Sequence, residues 1–210
     1  MTYDLYIGDR TFSSWSLRGW LMLKSFGIPF KSHLLGLYSG TLETDLAPFA
    51  PARQVPIVKT SQGHMVFDTL AMAETLAEAH PMAGLWPEDP AQRGAARSLV
   101  AQMHSGFSAL REHCPMNLQN AWEGFEVSDN LHADLAYLET LWLYAFKMSG
   151  DQNWLFGAYS LADVFFAPVA ARIACYKLPV SQQAQQYVNK HLAHQDFRQW
   201  RAMGLTKHYD

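Results

Sequence analysis

Four short stretches of the chain combine residue types and spacings that could do chemistry. In Phe12-Ser13-Ser14-Trp15-Ser16-Leu17-Arg18, two adjacent hydroxyls stand where a strand gives way to a helix. Serine there caps the helix by accepting a first-turn N–H. The same position also suits an anion, because a hydroxyl proton and the positive helix end both favour negative charge. Gln54-Val55-Pro56 leads into a strand. Two readings apply: proline heads a strand because it need not donate to the ladder there, or a cis Val55-Pro56 bond turns the Val55 backbone outward to pair with an extended peptide. Asp68-Thr69 opens a helix directly after a strand. The pair serves either as a cap or as a seat for a carboxylate on the Thr69 hydroxyl and amide. Ser160-Leu161-Ala162-Asp163 precedes Val164-Phe165-Phe166 and reads as a structural capping box. Its loss through Asp163→Ala should cost about 1 kcal/mol or more.

The elements that must position these residues follow from periodicity. Tyr3 to Ile7 is short and aromatic-rich and reads as a strand. Residues 14 to 26 read as a buried helix ending at Gly27, and Phe30 to Leu37 as a second strand. Residues 56–59 and 64–67 bracket Ser61-Gln62-Gly63, a hairpin signal. Thr69 to Ala79 has helical spacing. Residues 80–93 carry three prolines and mark a boundary. Beyond it strand signals vanish. One helical pattern runs through Leu99, Met103, Phe107 and Leu110 and ends near Cys114-Pro115. Another runs through Leu131, Leu135, Leu138, Trp142 and Ala145. Residues 116–130 read as a loop. Further helices are expected from Ser160 to about Tyr176, with Pro168 inside, and from Ser181 to His191. The chain therefore divides into an α/β domain (1–80), a linker (81–91) and an all-helical domain (92–210).

Composition narrows the function classes. A chain of 210 residues that is 49% apolar can bury a real core. A formal charge of -3 gives no electrostatic reason to expect nucleic-acid binding. No apolar stretch approaches the roughly 18 residues of a membrane span, and the first residues do not read as a signal peptide. Cys114 and Cys175 are far apart and fit no CxxC pattern, so a reduced, cytoplasmic protein is expected. The nine histidines show no metal-ligand spacing, and no metal site is expected. GxSxG, HExxH, P-loop and GxGxxG signatures are absent.

The strand–helix–strand–hairpin–helix order, Gln54-Val55-Pro56, Asp68-Thr69 and the capping box in a second helical domain together resemble the glutathione transferases over nearly the whole chain. Ser13-Ser14-Trp15-Ser16-Leu17-Arg18 with Arg53-Gln54-Val55-Pro56 is most similar to the serine-type bacterial and zeta-like members. The resemblance implies a thioredoxin-like first domain that binds glutathione as cosubstrate, plus an all-α second domain. It implies that Ser13, with Ser14 as its rival, donates to the glutathione sulfur. A thiol of pKa about 8.5 needs about 2.7 kcal/mol of differential stabilisation to fall two units. One charge-assisted hydrogen bond of about 1.5–3 kcal/mol could supply most of it.

By the same resemblance Val55 pairs through its backbone with the cysteinyl part, Asp68 and Thr69 hold the γ-glutamyl end, and Arg53, Gln54 and Pro56 help form that pocket. Met103, His104, Phe107 and Arg111 lie at helical spacing at the start of the second domain and are the implied electrophile contacts. Met103 and Phe107 fit a core stripe equally well. The implied activity is glutathione S-transfer to a small hydrophobic electrophile, in a detoxifying homodimer. The alternatives are a glutathione-dependent cis-trans isomerase of the maleylacetoacetate type and a non-catalytic interaction module. Two departures stand out. Many members carry Glu or Gln followed by Ser at the Asp68-Thr69 position, and zeta-type isomerases carry Ser-Ser-Cys where this chain has Trp15. The lack of cysteine near residue 13 predicts poor thiol–disulfide exchange.

Overall fold

The structure is a computed structural model that describes residues 2–37, 39–151 and 153–206. Met1 and residues 207–210, the outer ends of the two expected domains, lie outside the described residues. The chain forms two compact units. One comprises Met1–Leu85 with Gln199–Asp210, and the other is Trp86–Arg198.

In the first unit a four-stranded sheet has the order β2-β1-β3-β4. Its strands are β1 (Tyr3–Ile7), β2 (Phe30–Leu34), β3 (Ile57–Lys59) and β4 (Met65–Val66). In β1, Tyr3, Leu5 and Ile7 are buried, while Asp4 and Tyr6 on the alternate face are half-buried. Strand β1 is parallel to β2 and antiparallel to β3, with Leu5 opposite Val58. Gly63, at φ +87°, turns the β3–β4 hairpin, a conformation that suits a residue without Cβ.

Helix α1 (Ser14–Lys24) follows β1, and α3 (Thr69–Ala79) follows β4. Between β2 and β3 lie the short α2 (Leu42–Leu46) and a 3₁₀ turn over Ala47–Phe49. Helix α1 buries Leu17, Trp20, Leu21, Met22 and Leu23, and stops where Gly27 takes φ +66° and Ile28 N–H donates to Leu23 C=O at 2.9 Å. On the face of the sheet that Tyr6 occupies, Leu46, Ala52, Val55 and Ile57 form a second core with Phe49 and Leu37 packed on it.

This topology decides where the chemistry sits. Strands β1 and β4 are both antiparallel to β3, so they point the same way. Helices α1 and α3 leave their carboxyl ends, so both helix N-termini lie at one edge of the sheet. Strand β3 runs oppositely and begins at that edge, with Val55-Pro56 at its entry. Three of the four stretches singled out in the sequence thus meet at one edge.

The second unit is helical: α4 (Pro90–Ser105), α5 (Ser108–His113), α6 (Asp129–Ser149), α7 (Leu161–Tyr176) and α8 (Gln182–Ala193), with the first residues of α9 (Gln195–Leu205). Helix α7 is buried almost throughout and packs on α4 and α8. Helix α6 buries Leu131, Leu135, Leu138, Trp142 and Ala145, the residues whose spacing marked it.

The single expected helix over Leu99 to Leu110 is interrupted. Gly106 caps α4, and Phe107 takes φ +63°, ψ +45° before α5 begins. The sequence also assigns everything after residue 92 to the helical domain, whereas the end of α9 belongs to the first unit.

Candidate active site

Ser13 is the N-cap of α1, extended at φ -82°, ψ 95°, and 7% exposed. Its Oγ accepts the Ser16 N–H at 3.3 Å and donates to Ser16 Oγ at 2.7 Å. Ser16 Oγ in turn accepts the Gly8 N–H at 3.0 Å. Three consecutive polar contacts therefore tie the end of β1 to the first turn of α1. Ser14, also buried, is the first residue of the helix. The β1–α1 loop is held by Asp9, whose Oδ1 accepts from Thr11 N (2.7 Å) and Phe12 N (3.0 Å), and whose carbonyl accepts from Ser13 N (2.9 Å).

The Val55–Pro56 peptide is cis, as is Ala50–Pro51, which the sequence reading did not anticipate. Among the described residues none donates to or accepts from the Val55 backbone. A Cβ built on Gly8 would lie 3.1 Å from Val55 Cγ2, and one on Gly19 only 2.9 Å from Pro56 Cγ. The two glycines let β1 and α1 close on the Val55-Pro56 turn. The pyrrolidine ring cannot swing aside as a flexible side chain would. Gly19→Ala is therefore expected to displace the turn and weaken the binding of an extended peptide along the Val55 backbone several-fold, roughly three- to tenfold on the sensitivity of bound geometry to small shifts. Titration of the variant and the unmodified protein with glutathione would check this.

Asp68 caps α3: Oδ1 accepts from Leu70 N at 2.8 Å and Ala71 N at 3.1 Å. Thr69 is 2% exposed, and its Oγ1 is buried without a hydrogen-bond partner among the described residues. A buried hydroxyl without a partner costs roughly 1–3 kcal/mol. Its place at a helix N-terminus offers an anionic ligand an O–H donor beside the positive helix end. Arg53 and Gln54 are exposed, and Pro56 is buried. Glutathione fits this donor set. Val55 supplies an unpaired main chain for a peptide, Thr69 an unpaired hydroxyl for a carboxylate, and α1 a serine-lined helix end for a thiol.

Sequence reasoning passed over Arg18, which is fully buried one turn into α1 with its guanidinium 4.5 Å from the Trp15 ring centre. An arginine inside an otherwise apolar helical stripe was the available signal.

In the second unit, Met103 is fully buried and Phe107 is 5% exposed, its ring stacked on Tyr137 at 5.7 Å. Arg111 donates from Nε to Gly106 C=O at 2.9 Å and from a terminal nitrogen to Met103 C=O, so its head closes the end of α4. His104 is half-buried, 6.4 Å from the Phe165 ring. These four residues do not share one helical face, because the bend at Phe107 separates His104 from Arg111.

Cys114 and Cys175 are buried, and burial pushes both thiols up to about 11, so neither is a thiolate at neutral pH. Among the described residues no cluster of His, Cys, Asp or Glu could hold a metal ion, and no helix is long and apolar enough to cross a membrane.

Comparison with known proteins adds the family context. Residues 12–79 match the family model for the glutathione S-transferase N-terminal domain. The chain is 28% identical over 207 residues to the maleylacetoacetate isomerase of Pseudomonas aeruginosa, covering 93% of each. It is 32% identical over 119 residues to a probable maleylacetoacetate isomerase of Caenorhabditis elegans. That match spans 57% of this chain and about half of the relative, 54%. Among solved structures, a Burkholderia glutathione transferase homologue crystallised with glutathione matches at a TM-score of 0.71 and 24% identity, over 99% of this chain and 100% of that one.

Proposed function

Because residues 12–79 match the N-terminal domain of the glutathione S-transferases and the whole fold resembles theirs, we propose that this chain is a glutathione-dependent enzyme that ionises the glutathione thiol at the N-terminus of α1 and adds it to a small hydrophobic electrophile. The observation that carries the reading is the shared sheet edge, where the Ser13 hydroxyl, the unpaired Val55 backbone and the unpartnered Thr69 hydroxyl assemble. Glutathione supplies the nucleophile, a thiol that reacts as its thiolate. The chain's own residues supply the rest. Val55 pairs with the peptide, and Thr69, next to the Asp68 cap, receives a carboxylate, with Arg53 and Gln54 at the exposed rim. Ser13 donates a hydrogen bond to the sulfur and keeps its proton, while the thiol's own proton leaves to water.

That last step requires a turn of one hydroxyl. Ser13 Oγ–H now points at Ser16 Oγ, 2.7 Å away. When it swings to sulfur, Ser16 Oγ–H can rotate to donate back to Ser13 Oγ, while Ser16 Oγ still accepts from Gly8 N. No buried group is left unpaired, and the Ser13 proton becomes a stronger donor because its oxygen now accepts a hydrogen bond. Ser14 is the neighbouring hydroxyl able to share the role.

For the electrophile we propose His104 as a contact. Met103 and Phe107 give its segment an apolar base, and Arg111 fixes the bend beside it. A cytoplasmic homodimer with a detoxifying role is part of the same proposal.

A second reading is favoured by a specific observation: the relatives named above are called maleylacetoacetate isomerases. In that reading the same thiolate adds reversibly to a conjugated cis double bond, and the bond rotates before the thiolate leaves. Trp15, in place of the cysteine of the zeta type, counts against it. A substrate panel separates the two. Turnover of aryl halides or epoxides with loss of free thiol supports conjugation, and isomerisation of maleylacetone without thiol consumption supports the second reading. No turnover of either class, with no glutathione binding at millimolar concentration, would reduce the chain to an interaction module.

A further inference from the structure

The C-terminal part of α9 is attached to the loop that precedes Ser13. Trp200 is fully buried and donates its indole N–H to the Arg10 carbonyl at 2.8 Å. Its ring lies 5.5 Å from that of Trp20 of α1, and the Arg10 guanidinium sits over it at 5.9 Å. One turn later the Gly204 carbonyl accepts the Thr11 hydroxyl at 3.3 Å. A Cβ on Gly204 would stand 3.2 Å from Thr11 Oγ1 and 3.4 Å from the Arg10 carbonyl carbon, so the missing side chain is what lets the helix lie this close. Thr11 itself is fully buried. Residues 10 and 11 are thus clamped twice. From within the loop, Asp9 Oδ1 holds Thr11 N and Phe12 N. From the chain's far end, Trp200 and Gly204 hold Arg10 O and Thr11 Oγ1.

We propose that Trp200 and Gly204 are positioning residues: the C-terminal part of α9 is a strap that fixes the Arg10–Thr11 backbone and, through the two peptides that follow, the aim of the Ser13 hydroxyl. The inference rests on Ser13 acting on the glutathione sulfur. Neither residue need touch glutathione. Their work is to limit the angular freedom of the loop, which matters because a donor loses most of its hydrogen-bond energy when misaligned. A small displacement of positioned groups costs up to roughly 100-fold in rate.

Two variants remove one tie each while keeping shape: Trp200→Phe deletes the N–H, and Thr11→Val deletes the hydroxyl. In both, the apparent pKa of the bound glutathione thiol, followed by ultraviolet thiolate absorbance, is expected to rise by about 0.5–1 unit. In both, kcat is expected to fall about three- to tenfold. The KM for glutathione should stay within about twofold, since Val55 and Thr69 are untouched. Amide hydrogen exchange at Thr11, Phe12 and Ser13 should quicken.

A role confined to stability would lower the melting temperature and leave the thiol pKa where it was, and that result in both variants overturns the strap. If Trp200→Phe does not fold, Thr11→Val alone decides. Should the unmodified protein fail to lower the thiol pKa, it is the glutathione-activation reading that falls. The strap is then judged by exchange alone: faster exchange at residues 11–13 in the variants upholds it, and unchanged exchange overturns it.

Discussion

Ser13→Ala is expected to raise the pKa of enzyme-bound glutathione by about 1–2 units, the worth of one charge-assisted hydrogen bond of about 1.5–3 kcal/mol. If the bound thiol titrates near 6.5 and the variant near 8, the thiolate fraction at pH 7 falls from about three-quarters to about one-tenth. Weaker alignment of the sulfur adds to that loss, so kcat/KM at neutral pH should drop about 10- to 100-fold. At pH 9, where most of the thiol ionises unaided, much of the difference should disappear. This pH dependence separates the sulfur role from the capping role. Ser13 also caps α1 through Ser16 N, and loss of that bond should cost about 1 kcal/mol of stability. A variant that loses only the stability has kept its sulfur donor elsewhere. The matching Ser14→Ala experiment tells whether that donor is Ser14. If neither serine moves the thiol pKa, the serine mechanism is wrong.

The second large effect lies in the helical unit. Asp163 is fully buried at the start of α7. Oδ2 accepts from Ser160 N at 2.9 Å and from Ser160 Oγ, while Oδ1 accepts from Leu155 N at 3.2 Å and from the Tyr187 hydroxyl at 2.8 Å. The sequence disclosed only the capping box. The fold adds Leu155 and Tyr187, so the carboxylate joins three segments of the unit. Asp163→Ala leaves several buried donors without an acceptor and is expected to cost about 3–5 kcal/mol, well above the loss of a cap alone. Denaturant unfolding would measure it.

Burial outweighs the four donors and pushes the Asp163 carboxyl up to about 6. A carboxyl whose folded pKa is raised holds its proton more tightly when folded. The stability tied to that proton is complete below the unfolded value of about 3.9 and declines as pH rises to about 6, beyond which it is level. That decline should be missing from the Asp163→Ala variant.

Much of this was legible in the sequence for identifiable reasons. Helix α3 begins at Thr69 and ends at Ala79 as its spacing predicts, because a cap, a run of small and apolar residues and a following proline all agree. Helix α6 is long and periodic, and α7 is announced by its capping box and the apolar run that follows. The short α2 went unread because five residues cannot display a 3.6 period, and α5 was read only as the end of a longer helix. The bend at Gly106-Phe107 was hidden because Leu99 to Leu110 keeps its period across it. Only Gly106 hinted at a break, and Phe107 in a left-handed conformation is a tertiary outcome that local preference opposes. That bend is why Met103, His104, Phe107 and Arg111 looked like one face. The attachment of Trp200 and Gly204 to residues 10 and 11 spans about 190 positions, and no local pattern carries such a contact. At the site, Ser13, Val55 and Thr69 could be named from the sequence. The Ser13–Ser16–Gly8 hydrogen-bond chain could not, since it depends on how β1 meets α1.

The central claim is that the α1 end ionises a thiol. Its most direct test is a pH titration of the glutathione-saturated protein by ultraviolet thiolate absorbance. The account predicts an apparent pKa about two units below the free value of about 8.5, with the thiolate predominant at pH 7. A bound thiol that titrates as it does free in solution would contradict it.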